Sequence, residues 1–311
     1  MITVVGSINL DHVVTVDSLP REGETLLAKG YAEHPGGKGA NQAVAAARMG
    51  ARVRMVGRIG ADASGIQLRD ALAADGVDVA EVLQVEESTG RAFIEVDAQG
   101  RNRIIVVPGA NAAWQPGDVV TALASDVSRG TLGDKGRPLV LLQREISGEV
   151  VLEAARWASE NQCMVVLNAA PAGDLEPELL SCVTILVVNE HEAALTLGVP
   201  VEAVNTAPEA ACAQLQSRGP TSVVITLGNR GASFAAADDH GSVQGFQVKP
   251  VDTTAAGDAF VGAMAASLNE GVNLREAVRM GCAAGALAVT TAGAQPSLPE
   301  RPDVERLIRT T

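Results

Sequence analysis

Aromatic residues are scarce in this chain of 311 residues, at 2% of the total, although 47% of the residues are hydrophobic. The core must therefore be built mainly from Val, Leu, Ile and Ala. The chain also lacks a basic tract, and its net charge of −13 repels nucleic acid and anionic membranes. Few aromatic side chains are left for a platform on which single-stranded bases could stack. We therefore expect no nucleic-acid partner.

Long hydrophobic runs are absent too, since no segment approaches the ~18 consecutive apolar residues of a membrane-spanning helix. The first residues, MITVVGSINLDH, lack the basic start and apolar stretch of a signal peptide, so we expect a cytoplasmic protein with no membrane partner. The cysteines (Cys163, Cys182, Cys212 and Cys282) form no C-x-x-C pair and have no His at metal-ligand spacing. This pattern is typical of small buried hydrophobic residues in a reducing compartment.

The most regular feature of the chain is the alternation of short apolar runs with longer alanine-rich amphipathic segments. The runs predict strands at 2–6, 53–57, 138–143, 163–168, 183–189 and 221–228. The other segments predict helices at 39–49, 64–75, 149–161, 191–197, 208–218, 257–270 and 274–291. Continuous apolar strands alternating with helices indicate a parallel sheet covered on both faces, so the predicted fold class is α/β with a mostly parallel central sheet.

Two regions depart from this alternation. Residues 11–34 and 88–108 have the polar alternation of antiparallel strands and contain no predicted helix. Within the second region, RAFIEVDAQGRNRIIVV predicts a hairpin that turns at Ala98–Arg101, with Gly100 at a positive φ. The two regions therefore predict a small separate sheet, which would be either a lid over a site or an extension of the edge of the main sheet.

The segment DTTAAGDAFVGAMAASL (252–268) predicts a helix that begins near Gly257. The small residues Ala255, Ala256 and Gly257 leave the first amides of that helix uncovered, which is typical of an anion site. Asp258 is open to two interpretations. It is either an acid that the helix dipole favours at an N-terminus or a base held beside a bound phosphate.

The stretch HPGGKGANQA (34–43) is rich in glycine just before a predicted helix. It is not a Walker A motif, because Gly39 follows Lys38, and it is not a dinucleotide fingerprint, because Gln42 stands where the next glycine is required. The stretch therefore does not indicate a dehydrogenase. Glycine permits the close approach of a ligand to the backbone. We interpret the stretch as a site for a polyhydroxylated ligand, with Lys38 and Asn41 as donors.

These stretches occur together in a known family. In the order GSINLDH, PGGKGANQAVAAARMGA, STG, NAAPA, NEHEA, TLGNRG, VDTTAAGDAF and AVTTAGAQPS, the chain resembles the pfkB carbohydrate-kinase family over nearly its whole length. The resemblance implies a Rossmann-like three-layer core (1–10, 35–87 and 109–311) carrying a small β-sheet lid (11–34 and 88–108), and a homodimer joined through the lids. It also implies ATP-dependent phosphorylation of D-ribose at O5 to give D-ribose 5-phosphate.

The resemblance implies a role for each matching residue. Asp258 would be the general base for the primary hydroxyl of the sugar, beside an anion hole formed by Ala255, Ala256 and Gly257. The sugar would contact Asn9, Asp11, Gly37, Lys38, Gly39, Asn41 and Glu145. ATP would contact Asn189, Thr226, Gly228, Gly231, Gly257 and Cys282, with Glu192 near Mg²⁺ and the phosphates. An activating K⁺ would be held by Asp252, Thr254, Ala288, Thr291, Gly293 and Ser297, mostly through backbone carbonyls.

Some positions keep other interpretations open. Cys282 stands where the family pattern leads us to expect a larger polar residue, which affects the adenine contacts. Arg91 and Phe93 lie on a predicted lid strand, and a one-residue change of register decides whether they face the sugar. If Arg91 points inward, a substrate other than ribose is favoured. The alternatives are therefore another sugar or nucleoside kinase of the family, acting on deoxyribose, fructose or a nucleoside, and a non-catalytic sugar-sensing protein.

Overall fold

The computed structural model describes residues 1–128 and 138–310. Its strands are β1 (Ile2–Val5), β2 (Asn9–Thr15), β3 (Gly30–Gly36), β4 (Val53–Gly60), β5 (Asp78–Val85), β6 (Gly90–Val96), β7 (Asn102–Val107), β8 (Leu139–Leu142), β9 (Met164–Asn168), β10 (Ile185–Asn189), β11 (Ser222–Thr226), β12 (Gly231–Ala235) and β13 (His240–Gln244). Its helices are α1 (Lys38–Arg48), α2 (Ala63–Ala74), α3 (Asp118–Ser128), α4 (Gly148–Glu160), α5 (Pro177–Cys182), α6 (Glu190–Leu197), α7 (Val201–Thr206), α8 (Pro208–Gln216), α9 (Ala256–Asn269), α10 (Leu274–Ala288) and α11 (Arg301–Thr310).

The large sheet has nine strands in the order β13-β12-β11-β10-β9-β8-β1-β4-β5. Every neighbouring pair from β11 to β5 is parallel, while β12 and β13 extend one edge in antiparallel fashion. β1, β8 and β10 are largely apolar and, apart from Asn189 at the end of β10, buried, because helices cover both faces of the sheet. Two hydrophobic clusters fill the layers on either side of the sheet. The predicted α/β fold class is confirmed.

The small sheet consists of four strands in the order β3-β2-β6-β7. It comes from the two regions that the sequence predicts to be helix-free. β2 pairs with β3 and β6 with β7 in antiparallel fashion, while β2 and β6 are parallel to each other. The predicted β6–β7 hairpin is confirmed, with the Asp97 N–H bonded to the Arg101 carbonyl and Gly100 at a φ of 77°.

Some elements were not predicted. β5 is an edge strand with an exposed pattern, and β12, with the sequence GASFA, has a small-residue composition that carries little strand propensity. α3, α5, α7 and α11 were also missed, while the predicted helix at 274–291 ends earlier, at Ala288. Within the part of the chain that the structure describes, no helix is long and apolar enough to cross a bilayer.

Helices α1 and α9 pack closely beneath the site. Gly262 permits this contact, because a Cβ there would lie 2.8 Å from the Gln42 carbonyl oxygen and 2.9 Å from the Ala46 nitrogen. Gly262 is one turn after Asp258 in α9, so the start of α1 lies beside the start of α9. Residues more than two hundred positions apart in the sequence are thereby brought into side-chain contact.

Candidate active site

The turn before α9 has an unusual backbone. Ala255, the N-cap residue, is left-handed with a φ of 58°, a conformation that non-glycine residues seldom adopt. A Cβ placed on Gly257 would meet no atom within 4 Å, so the first turn of α9 faces open space. Free amides of a helix N-terminus that face a cavity are suited to bind an anion. The structure therefore places the predicted anion hole at a cavity wall.

Asp258 is buried in the first turn of α9 and is held by two amides from α1. Asn41 Nδ2 donates to Asp258 Oδ2 at 3.0 Å, and Gln42 Nε2 donates to Oδ1 at 2.9 Å. Burial raises the pKa of Asp258, while the charge of Lys38 and the two amide hydrogen bonds act in the opposite direction. The carboxylate is thus fixed in orientation, and burial makes it more basic than an exposed aspartate.

The glycines at the start of α1 make room for the chain itself. A Cβ on Gly39 would lie 2.6 Å from the Ser7 nitrogen, and one on Gly37, whose φ is 89°, would lie 2.8 Å from the Asn9 nitrogen. The Gly39 N–H donates to Ser7 Oγ at 3.3 Å. The β1–β2 segment therefore occupies the space that a side chain at Gly37 or Gly39 would need, and contact of a sugar with these residues stays a prediction.

Glu145 follows β8 and links the start of α1 to the loop between β1 and β2. Its Oε2 accepts hydrogen bonds from the Lys38 N–H at 2.9 Å and from Ser7 Oγ at 2.6 Å. The sequence alone would make Glu145 a surface acid, yet the parallel sheet brings the end of β8 next to the end of β1. Glu145 therefore reaches the same crevice as Lys38.

Asn9 and Asp11 lie on β2, and both are buried. Asn111 Nδ2 donates to Asn9 Oδ1 at 2.7 Å, which fixes the Asn9 amide. Asp11 is buried against Gly36, where any Cβ would overlap its carboxylate. Burial, together with the nearby carboxylates Glu145 and Asp258, raises the pKa of Asp11 to about 7.

Lys38 is the cation at the centre of these acids. Burial lowers its pKa, but the negative charges around it outweigh that effect and raise the pKa overall. The carboxylates that act on Lys38 belong to Asp258, Glu145, Glu192 and Asp11. The ammonium group therefore stays charged and offsets part of the repulsion that a phosphate would meet here.

Three connected cavities surround these groups. A cavity of about 240 Å³ contains Lys38, Asn189, Glu192, Ala255, Gly257 and Asp258 in its wall. A cavity of about 760 Å³ on one side of it is lined by Lys38, Glu145 and Glu192 together with Ile104 and Val106 of β7. A mainly apolar cavity of about 360 Å³ on the other side is lined by Thr226, Gly228, Gly231, Ala256, Gly257 and Cys282, among others. The three cavities share lining residues, and the smallest, with Asp258, lies between the other two.

Asn189 and Glu192 form a capping box at the start of α6. Asn189 Oδ1 accepts from the Glu192 N–H, and Glu192 Oε2 accepts from the Asn189 N–H, both at 2.8 Å. Burial raises the pKa of Glu192, with the Asn189 hydrogen bond and Lys38 acting against it. One buried carboxylate beside a phosphate-sized cavity fits Mg²⁺, which usually keeps several waters and binds through few protein carboxylates. Among residues 1–128 and 138–310, no cluster of three or more His, Cys, Asp or Glu is placed to hold a metal ion.

The residues predicted to hold K⁺ lie on two neighbouring segments, the turn before α9 and the stretch from the end of α10 to residue 297. Asp252 Oδ1 accepts from the Thr254 N–H and hydroxyl, and Oδ2 accepts from the Gly293 N–H at 2.9 Å. Burial acts to raise the pKa of Asp252, but these hydrogen bonds prevail and lower it. Ala288 accepts from the Thr291 N–H, while Ser297 is bonded to the Ala294 carbonyl. The ionised Asp252 carboxylate, where the two segments meet, has the charge that suits a monovalent cation.

The register of the small sheet decides the orientation of Arg91 and Phe93. Asp11 pairs with Ala92, and His12 pairs with Phe93, whose ring stacks on the imidazole at 5.0 Å. Arg91 and Phe93 therefore share the face opposite to Asp11, because side chains alternate along a strand. The condition that would favour a substrate other than ribose is not met.

Sequence reasoning missed the polar residues that support the site. Gln42 contacts Asp258, Gln143 contacts Gln42, and Asn111 holds Asn9. All three are buried polar side chains, which usually need a partner in the protein. The signal that could have found them was a polar residue within or directly after an apolar segment, such as Gln143 after LVLL.

No disulfide joins the four cysteines, and burial raises the pKa of Cys212 and Cys282 to about 12.

Comparisons with known proteins agree with this geometry. The family model described as pfkB family carbohydrate kinase matches residues 1–301. A ribokinase of Haemophilus influenzae is 40% identical over 96% of this chain and 95% of its own length, and one of Bacillus subtilis is 39% identical over 99% of each. The structure of Arabidopsis thaliana ribokinase complexed with ribose and ATP is 32% identical, with a TM-score of 0.86 over 100% of this chain and 99% of that one. This chain therefore belongs to the pfkB family of carbohydrate kinases.

Proposed function

We propose that this protein transfers the γ-phosphoryl group of ATP to O5 of D-ribose, giving D-ribose 5-phosphate and ADP. The observation that carries the proposal is the position of Asp258 in the wall of a small polar cavity, which lies between a larger cavity beside Lys38 and Glu145, assigned to the sugar, and an apolar cavity, assigned to the nucleotide base. Ribose and ATP are the ligands named for the Arabidopsis thaliana structure that this chain resembles. A sugar-sensing protein would have no need of a buried base at this point.

The residues divide the reaction between them. Asn9, Asp11, Lys38, Asn41 and Glu145 hold the sugar with its primary hydroxyl towards Asp258, which takes the proton as the oxygen attacks the γ-phosphorus. The bond from phosphorus to the β,γ-bridging oxygen breaks, and ADP leaves. The α9 amides at 255–257 stabilise charge on the transferred group, whose loose transition state depends more on position than on a strong base.

The nucleotide side is held by fewer polar groups. We assign adenine to the apolar cavity that Thr226, Gly228, Gly231 and Cys282 help to line. Asn189 and Glu192 would hold the phosphates and, through water, Mg²⁺, which supplies charge neutralisation when bound. The small sheet (β2, β3, β6 and β7) would act as a lid that limits hydrolysis of ATP by water.

Direct measurement of ADP formation tests the proposed function. Purified protein would receive ATP, Mg²⁺ and K⁺ with D-ribose, 2-deoxyribose, fructose or a nucleoside, and the product would be identified by mass and by NMR. We expect ribose to give the highest kcat/KM and phosphate on O5. Turnover with another acceptor and not with ribose would correct the substrate. Binding of ribose without turnover would favour the sugar-sensing alternative.

We infer that K⁺ activates the enzyme through the loop of Asp252. Asp252→Asn removes the charge but keeps the shape, so the K⁺ concentration for half-maximal activity is expected to rise about tenfold, or about 1.4 kcal/mol. The assay is initial rate against K⁺ at constant ionic strength. Asp239→Asn, which alters a surface pair with Arg275, is the control and should leave the K⁺ dependence unchanged. Equal K⁺ dependence in all three proteins would contradict the assignment.

We propose a homodimer formed through the small sheets. β7 is an edge strand whose apolar residues are exposed, with Ile105 at 67% and Val107 at 44%. Ile105→Glu is expected to convert a dimer into a monomer, because it places a charge in an apolar interface. Light scattering coupled to gel filtration measures the mass. Leu195→Glu, at an exposed leucine of α6, is the control and should stay dimeric. A monomeric unsubstituted protein would contradict the proposal.

A further inference from the structure

Gln42 occupies a position in α1 that the proposed reaction does not yet use. Its side chain is fully buried, and its Nε2 donates both to Asp258 Oδ1 and to Asn168 Oδ1, each at 2.9 Å. Its Oε1 accepts from Gln143 Nε2 at 2.8 Å. All the hydrogen-bonding atoms of its amide are therefore engaged, and two of the partners belong to strands of the large sheet or the loops that follow them.

The direction of these hydrogen bonds is fixed from both ends. Asn168 Nδ2 donates to the Val187 carbonyl at 3.3 Å, so its Oδ1 must face Gln42 as an acceptor. An ionised Asp258 can only accept. The Gln42 amide must therefore present its NH₂ to both oxygens and its Oε1 to Gln143. With Asp258 ionised, this orientation gives every polar atom of the Gln42 amide a partner.

The two oxygens of Asp258 are held differently. Oδ1 faces Gln42, which is itself held by Gln143 and Asn168. Oδ2 faces Asn41, whose own Oδ1 is buried without a hydrogen-bond partner. We assign this unpartnered amide oxygen as an acceptor for a hydroxyl of the substrate. Oδ2 is thus the oxygen that becomes available when Asn41 turns to a ligand.

We propose that Gln42 is a positioning residue that keeps Asp258 ionised and directs its Oδ2 to the sugar hydroxyl. This inference rests on the proposed function, because it assigns Asp258 as the base. Gln143 and Asn168 act only through Gln42. The close contact of α1 with α9 at Gly262 maintains the distance between Gln42 and Asp258.

Several charged groups act on the ionisation of Asp258 together with the hydrogen bond from Gln42. Lys38 of α1 favours the ionised Asp258, whereas Glu145 after β8 and Asp11 of β2 repel it. Glu192 of α6 also interacts with the charge of Lys38. A hydrogen bond to the ionised form lowers the pKa of a carboxyl group. Loss of the Gln42 bond should therefore raise the pKa of Asp258 and remove active base at low pH.

Gln42→Met, which keeps the length but not the amide, tests the proposal. The readout is kcat at saturating sugar, because kcat reports the pKa values of the bound enzyme and excludes the titration of Asp11 in the free enzyme. We expect the acid limb to move up by about one pH unit, so that kcat falls about tenfold on that limb and recovers at high pH. Gln42→Glu should move it further, and Gln143→Met should move it less.

Two outcomes would overturn the proposal. One is an unchanged acid limb in Gln42→Met, and the other is a loss of kcat that is equal at every pH, which a structural role alone would give. A second measurement does not depend on turnover: the ¹³C carboxyl resonance that disappears in Asp258→Asn is titrated in the wild-type protein and in Gln143→Met. Failure of the wild-type protein to phosphorylate ribose would instead count against the proposed function. The pH profiles of the wild type and the Gln42 variants would then be compared with the sugar that the protein does accept.

Discussion

Asp258→Asn is expected to lower kcat on ribose by about 10³-fold, within the range usual for loss of a general base. The side chain is buried, and burial raises the pKa of the carboxyl group, so the wild-type protein places an unusually basic carboxylate beside the anion hole. Asparagine has the same shape but cannot accept the proton. Binding of sugar and ATP should persist, so both KM values are expected to change by less than about threefold.

The loss must be separated from a loss of folding. Because burial of the charge is costly, removal of the charge offsets the loss of one amide hydrogen bond, and the melting temperature is expected to change little. Asp303→Asn is the matched control, since Asp303 also lies in the first turn of a helix but forms a surface ion pair with Arg306 at 3.0 Å. A kcat within about tenfold of wild type in Asp258→Asn would remove Asp258 from the role of base.

The fold could be predicted where burial and periodicity coincide. β8, β9 and β10 are short apolar runs in the centre of the sheet, and the local sequence alone predicts each of them as a strand. β5 and β12 could not be predicted in the same way, because an edge strand is half-exposed and GASFA owes its strand conformation to pairing with β11 and β13. Strand order is likewise a property of tertiary contacts.

The individual residues of the candidate site could be predicted from the sequence, but the hydrogen bonds between them could not. Local patterns placed Asp258 at the start of a helix and Lys38 in a glycine-rich entry, and the family resemblance supplied the roles of Glu145 and Asn189. The bond from Gln42 to Asp258 joins residues that are 216 positions apart, and no spacing rule covers that distance. The orientation of Arg91 also depended on the register of β2 against β6.

Asp11 offers the second large effect, since the protein keeps a buried acid whose ionisation is unfavourable. The pKa of Asp11 is raised from 3.8 to about 7 by burial and by Glu145 and Asp258. A carboxyl group with a raised pKa binds its proton more tightly in the folded state, so its ionisation costs stability as pH rises from the unfolded pKa to the folded one. The cost is complete above about pH 7 and amounts to about 4 kcal/mol.

Asp11→Asn should therefore stabilise the ligand-free protein at high pH and weaken sugar binding. From about pH 5 to about pH 8 the free energy of unfolding of the wild type is expected to fall by about 3 kcal/mol more than that of the variant, measured by urea denaturation. The variant should lose about 10–100-fold in kcat/KM for ribose, because the ionised carboxylate accepts stronger hydrogen bonds from hydroxyls than an amide does.

The pH dependence of sugar binding provides the decisive measurement. Hydroxyl groups that donate to Asp11 favour its ionised form, so ribose should bind with release of a proton and its Kd should fall as pH rises towards about 7. Calorimetry in buffers of different ionisation enthalpy measures that proton directly. Glu95→Gln, on the face of β6 opposite to Ala92 and Asp11, is the control and should retain the proton release. Proton release that persists in Asp11→Asn would assign the titration to Asp258 instead.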